Sequence, residues 1–92
     1  MIIIVRGFAR FGELIGRERR MEVPEGTTLR ALLDQLADTS PALAEALFDN
    51  ERHVRDYVIL MRNRQRVERK NAPDIVLDDG DEIAVFPPVA GG

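Results

Sequence analysis

An α+β roll, with a mixed sheet packed on one main helix plus a short second helix, is the fold class this sequence predicts. Three observations carry it. Apolar, β-branched runs near both ends, Ile2-Ile3-Ile4-Val5 and Ile83-Ala84-Val85-Phe86, read as strands. Between them, Leu29, Leu32, Leu33 and Leu36 stand at i, i+3, i+4 and i+7, a single apolar stripe on a helix. The 92 residues suffice for one domain around one core.

Each element follows from its residues. Met1 to Phe8 is a strand bounded by Gly7, and its unbroken apolar run predicts a central strand covered on both faces. In Ala9 to Gly16, Phe11, Leu14 and Ile15 are spaced for one helical turn before Gly16 stops it. Arg17 to Val23 suits an antiparallel second strand with Met21 and Val23 inward. Pro24-Glu25-Gly26 is a turn, and Thr27 or Thr28 caps the leucine helix. Ser40 and Pro41 are N-cap and first residue of the short second helix, which buries Leu43, Leu47 and Phe48. Asp49 to Asp56 is charged and reads as a surface loop. Tyr57 to Arg62 and Gln65 to Arg69 are strands joined by an Asn63-Arg64 turn, the second at a sheet edge. Asn71 to Leu77 is a connection with a single 3₁₀ turn at Pro73 to Ile75. Asp79-Gly80 turns the chain into a last strand, Asp81 to Phe86, which Pro87-Pro88 terminates. The domain is expected to span residues 1–88, and residues 89–92 to form a flexible tail.

Composition removes several function classes. No cysteine is present, which excludes thiol nucleophiles, disulfides, zinc thiolates and iron–sulfur clusters. A net charge of −3 gives no electrostatic reason to bind nucleic acid or an anionic membrane. The longest apolar run, Met1 to Val5, is far too short to span a bilayer and is followed at once by Arg6, so a cytoplasmic protein is expected. His53, the one histidine, sits in a charged loop with no second ligand type around it. The acidic run Asp78, Asp79, Asp81, Glu82 is explained by turn chemistry and is too short for a calcium loop, so no metal site is expected. Arg62, Arg64, Arg66 and Arg69 alternate along a hairpin and read as a solvated strand face.

The chemistry sits in the last residues. A strand delivers the backbone to a rigid Pro87-Pro88 exit, Val89 and Ala90 follow as a spacer, and Gly91 and Gly92 lack a Cβ. Glycine lets a backbone pass where a side chain would clash, so a narrow channel in a partner can accept Gly91-Gly92 and bring the carboxylate of Gly92 to a reagent. A carboxylate is a poor electrophile. It needs activation, for example by adenylation with ATP, before a sulfur or nitrogen nucleophile takes the acyl group.

The ending Phe86-Pro87-Pro88-Val89-Ala90-Gly91-Gly92, after Asp79-Gly80-Asp81-Glu82, resembles that of molybdopterin synthase small subunits (MoaD), within the MoaD/ThiS-type ubiquitin-like sulfur carriers. It is equally similar to the small archaeal modifier proteins. Phe8 to Gly16, Pro24 to Thr28 and Pro41-Ala42-Leu43 carry the resemblance along the whole chain. The order β-β-α-(α)-β-β-β is that of the ubiquitin-like β-grasp. The chain departs from the pattern at Gly12, where the family often has a basic residue, and in Asp49 to Asp56, which is longer than in the bacterial subunits and points toward the archaeal carriers.

The resemblance implies a non-catalytic carrier subunit that binds no cofactor. A MoeB-like adenylyltransferase would consume ATP to adenylate Gly92, and a sulfur donor protein would convert the adenylate to a thiocarboxylate. The tail would then enter a MoaE-like large subunit that holds the pterin precursor. Gly92 would be the acyl donor and Gly91 the second channel residue, with Phe86, Pro87, Pro88, Val89 and Ala90 positioning the tail against both partners. Three alternatives stay open: a protein modifier joined through Gly92 to target lysines, a sulfur carrier for another product such as thiamine or thiolated tRNA, and a stand-alone interaction domain with an inert tail. Of the 13 basic residues only Lys70 is lysine, so a modifier of this sequence is limited to a single conjugate or a Lys70-linked chain.

Overall fold

The computed structural model describes residues 1–87. The elements run β1 (Ile2–Gly7), α1 (Arg10–Ile15), β2 (Arg19–Glu22), α2 (Leu29–Asp38), α3 (Pro41–Leu47), β3 (Ile59–Arg62), β4 (Gln65–Val67), a 3₁₀ helix (Arg69–Asp74) and β5 (Glu82–Phe86). The strands form one sheet in the order β2-β1-β5-β3-β4. β1 and β5 are parallel, with Val5 opposite Ile83 and Gly7 opposite Val85, and every other pair is antiparallel. This is the expected β-grasp roll. The proposed boundary between residues 88 and 89 lies outside the described residues.

One face of the sheet carries the core. Ile3 and Val5 from β1, Leu60 from β3, and Ile83 and Val85 from β5 point inward and are fully buried. They meet the α2 stripe, in which Leu29, Leu32, Leu33 and Leu36 are also fully buried. Each such leucine contributes about 1.5–3 kcal/mol by leaving water. Thr28 is the N-cap: its Oγ1 accepts from the Ala31 N–H at 3.1 Å. The Thr27 hydroxyl donates back to the Pro24 carbonyl at 2.7 Å and closes the turn. Ser40 caps α3 by accepting from the Leu43 N–H, with Pro41 just inside the helix.

Several expectations are corrected. β1 is central in the sheet, but its burial alternates: Ile3, Val5 and Gly7 are buried while Ile2, Ile4 and Arg6 are half-buried. Helices cover one face only, so the apolar run marks lateral pairing on both edges, not two-sided cover. The turn after β1 extends to a six-residue helix, α1, with Phe11 and Ile15 buried at i and i+4. Gly7 permits it, because a Cβ there would lie 2.2 Å from the Phe11 carbonyl oxygen. Gly12 faces it, and a Cβ there would stand 3.2 Å from the Gly7 carbonyl oxygen.

The second, third and fourth strands are shorter than expected, since pairing stops at Arg19–Glu22, Ile59–Arg62 and Gln65–Val67. Met21 is only partly buried. The 3₁₀ segment starts four residues earlier than expected, at Arg69, and carries Pro73 inside it. Asp49 to Asp56 is not wholly a surface loop. Val54 is buried and bridges Phe48, and the Asp49 carboxylate accepts from the N–H groups of Glu51 and His53 at 2.9 Å each. Arg30 and Arg52 both stack on the Phe48 ring, 4.4 and 4.6 Å from its centre, and both reach Asp34. A charged sequence thereby folds into an ordered corner against α2.

Candidate functional site

β5 positions everything near the carboxyl end of the described chain. It lies between β1 and β3, so both of its edges are paired before it reaches Phe86. The Phe8 N–H donates to the Val85 carbonyl at 3.1 Å, extending the contact with β1 one step past that strand. Opposite, Ile59 pairs with Phe86. Glu82, Ala84 and Phe86 alternate with the inward Ile83 and Val85, so they lie on the sheet face that no helix covers.

On that open face the Phe8 and Phe86 rings stack, with centroids 4.2 Å apart and planes 9° from parallel. Phe8 keeps 39% of its surface exposed. Phe8, Phe86, Met61 and Ala84, with Arg6 and Arg64, edge a shallow cleft of about 240 Å³. Arg6 is its charged margin. Its guanidinium lies 3.0 Å from Glu18 and 3.1 Å from Glu82. The contact with Glu82 is one of charge rather than aligned hydrogen bonding, because the buried Arg6 Nε finds no acceptor at a suitable angle.

The start of β5 is built differently. Asp81 is buried and its carboxylate accepts from three donors: the Arg62 guanidinium at 2.8 Å, the Asn63 amide at 2.9 Å and the Asp78 N–H at 2.8 Å. Arg62 also reaches Asp78 at 3.0 Å and the Val76 carbonyl at 3.2 Å. Asn63 Oδ1 accepts from the Glu82 N–H, and the Ile4 N–H donates to the Asp81 carbonyl. Burial by itself pushes the Asp81 carboxyl up, but those hydrogen bonds and the Arg62 charge outweigh it and hold it below its ordinary 3.8. The turn that makes the knot possible holds Asn63 and Arg64 at positive φ, 49° and 70°, as a two-residue hairpin of the primed type requires.

Against the sequence-predicted site, Phe86 and Pro87 are placed at the exit and are half-buried. Pro88, Val89, Ala90, Gly91 and Gly92 lie outside the described residues. The arginine hairpin face is corrected in part: Arg64 and Arg66 are exposed as expected, but Arg62 turns into the Asp81 knot, and Arg69 reaches the Val58 carbonyl and Asp56. Sequence reasoning missed Phe8, Met61 and Ala84 as companions of Phe86. The signal was period two: Phe8 continues the outward series Ile2, Ile4, Arg6, and Met61 is the outward neighbour of the inward Leu60. The acidic run near Asp79 is accounted for by its internal partners, with Asp79 itself accepting from the Ile2 N–H at 2.7 Å.

A five-stranded mixed sheet in the order β2-β1-β5-β3-β4, rolled around one main helix, places the chain in the ubiquitin-like β-grasp class. The comparisons agree. The crystal structure of SAMP1 from Haloferax volcanii superposes with a TM-score of 0.85 at 30% identity, covering all of both chains. Small archaeal modifier protein 3 of the same organism is 33% identical over 93 residues, spanning both chains completely. The molybdopterin synthase sulfur carrier subunit of Escherichia coli (strain K12) is 34% identical over 91 residues, 99% of this chain and 100% of that one. Residues 5–92 match the ThiS family, and the chain belongs to that family of ubiquitin-like sulfur-carrier proteins. Among the described residues, no helix is long and apolar enough to cross a membrane.

Proposed function

We propose that this chain is the sulfur-carrying small subunit of a molybdopterin synthase, with the Gly92 carboxylate as its working group. A MoeB-like adenylyltransferase joins that carboxylate to the AMP moiety of ATP and releases pyrophosphate. Sulfur from a donor protein then displaces AMP and leaves a thiocarboxylate. A MoaE-like large subunit receives the tail and transfers the sulfur to a pterin precursor. The carrier supplies position and an acyl group, and holds no cofactor of its own.

The observation that carries this reading is the exposed Phe8–Phe86 stack where β5 leaves the sheet. An aromatic pair at that place gives a partner an apolar anchor directly behind the segment it must thread, and aromatic anchors dominate binding energy at such contacts. The sulfur-carrier names of relatives such as the E. coli subunit support it.

A second reading, a protein modifier joined through Gly92 to target lysines, is favoured by the end-to-end match to small archaeal modifier protein 3. One experiment separates the two. The full chain is incubated with ATP, an adenylyltransferase and a sulfur source, and its intact mass is measured before and after alkylation, which tells a thiocarboxylate from an oxidised methionine. A thiocarboxylate on Gly92 that is consumed on adding large subunit and pterin precursor is the expected result. Activation without sulfur incorporation, but with isopeptide adducts on other proteins, would make the chain a modifier instead.

A further inference from the structure

β2 forms one edge of the sheet, and among the described residues no strand pairs with its outer side. Met1 and Val23 exchange both backbone hydrogen bonds, at 2.8 and 2.9 Å, so Val23 turns its polar groups toward β1. Antiparallel pairing alternates from there. Met21 and Arg19, opposite Ile3 and Val5, also bond inward, and Arg20 and Glu22 turn their N–H and C=O groups to the free edge. The Ile4 N–H agrees with that phase, because it donates to the Asp81 carbonyl on the other side of β1. Side chains alternate too. Arg19 and Met21 are half-buried on the helix side, whereas Arg20 and Glu22 stand exposed on the open face. Neither Arg20 nor Glu22 has a salt-bridge partner among the described residues.

Charges along a bare edge commonly keep other strands away. Here they alternate in sign, and that selects one arrangement. We propose that β2 pairs antiparallel with β2 of a second copy, about a two-fold axis at Met21. Arg20 then lies opposite Glu22 of the copy, and Glu22 opposite the copy's Arg20. Each pair exchanges backbone hydrogen bonds and joins opposite charges on the open face. Met21 meets its own counterpart on the helix side. The neighbouring registers that keep the same backbone phase fail. A shift one way sets Arg20 against Arg20. A shift the other way sets Glu22 against Glu22, and Arg20 against Pro24, which has no N–H to give. The pairing is self-complementary and leaves no free β2, so it closes at two copies. Because β5 is parallel to β1 and β1 is antiparallel to β2, the axis sends the two β5 exits in opposite directions. Each Phe8–Phe86 stack spans β1 and β5, away from the seam, so a partner on one tail leaves the other accessible. None of this requires Gly92 to be activated.

Sedimentation velocity of the full native chain, over a concentration series, is expected to show a monomer–dimer equilibrium, weak because the seam is short. Arg20→Glu puts like charge opposite Glu22 of the copy, and Glu22→Arg does the same opposite Arg20. Each change should weaken dimerisation by about tenfold while leaving the melting curve of the monomer unchanged. Mixed in equal amounts, the two variants oppose unlike charges again and should form a heterodimer. Both changes in one chain should restore the homodimer. A second readout fixes the register. The chain has no cysteine, so Met21→Cys places the only thiols on the axis. Directly opposed residues of a non-hydrogen-bonded pair stand about 4.5 Å apart at Cα, within disulfide reach. Mild oxidation should cross-link that variant much faster than Arg66→Cys, which carries its thiol on the opposite edge strand. A native chain that stays monomeric up to its solubility limit would leave the edge to a different kind of partner and overturn the proposal. So would a dimer indifferent to both charge reversals, or equal cross-linking of the two thiols.

Discussion

The two ends of β5 solve opposite problems. At its start, Asp81 is buried and each oxygen of its carboxylate has a partner in Arg62, Asn63 or the Asp78 N–H. At its exit, Phe8 and Phe86 find each other and leave aromatic surface in water. The polar end is saturated from within and the apolar end is not. Polar residues here hold the start of the strand, and apolar residues are left on the surface at its exit, the reverse of the usual guess that charge marks the exposed end.

That contrast is open to breakage at either end. The largest effect is expected beyond the exit: removing Gly91 and Gly92 should abolish thiocarboxylate formation entirely, with the urea unfolding midpoint unchanged. A large drop in stability would show that the tail belongs to the fold. At the start of the strand, Asp81→Ala leaves the Asn63 amide and the Asp78 N–H without their acceptor and removes one of the Arg62 guanidinium's partners, and should cost about 2–3 kcal/mol in chemical denaturation. A cost within experimental error would mean water replaces the carboxylate without penalty.

At the exit, Phe8→Ala should lower stability by only about 1 kcal/mol, the scale of a stacked pair. The same change should weaken binding to the adenylyltransferase or large subunit by about tenfold, as loss of an aromatic anchor does. Titration calorimetry beside a melt measures both, and a variant that loses stability but no affinity would reassign Phe8 to the core. The gentlest probe is pH. Asp81 has a folded value held below 3.8, so its contribution is fully present above that pH and disappears as pH falls through the folded value. Native stability should therefore decline more steeply below about pH 4 than that of Asp81→Asn, and parallel curves would remove Asp81 as the source.

How far the sequence spoke depended on whether the controlling interaction was local. The α2 stripe, the Thr28 and Ser40 caps, the Asn63-Arg64 turn and the edge position of β4 are set within a few residues, and all were legible. The length of α1 was not, because it depends on Gly7 letting a helix backbone lie against a strand. The fate of Arg62 was hidden too, since its partners stand sixteen and nineteen positions away. Phe86 was readable from its place before Pro87, but its partner Phe8 was not, because parallel pairing of the first and last strands brings them together.

The placement of β5 also has a mechanical consequence. A partner that draws on the carboxyl end applies tension along the axis of a strand flanked on one side by a parallel neighbour and on the other by an antiparallel one. Such a pull loads both ladders in shear, so their hydrogen bonds resist together instead of parting one after another as in a peeled hairpin. The molecule is in effect tethered by an interior strand, and force delivered at Phe86 passes to the neighbours on both of its sides.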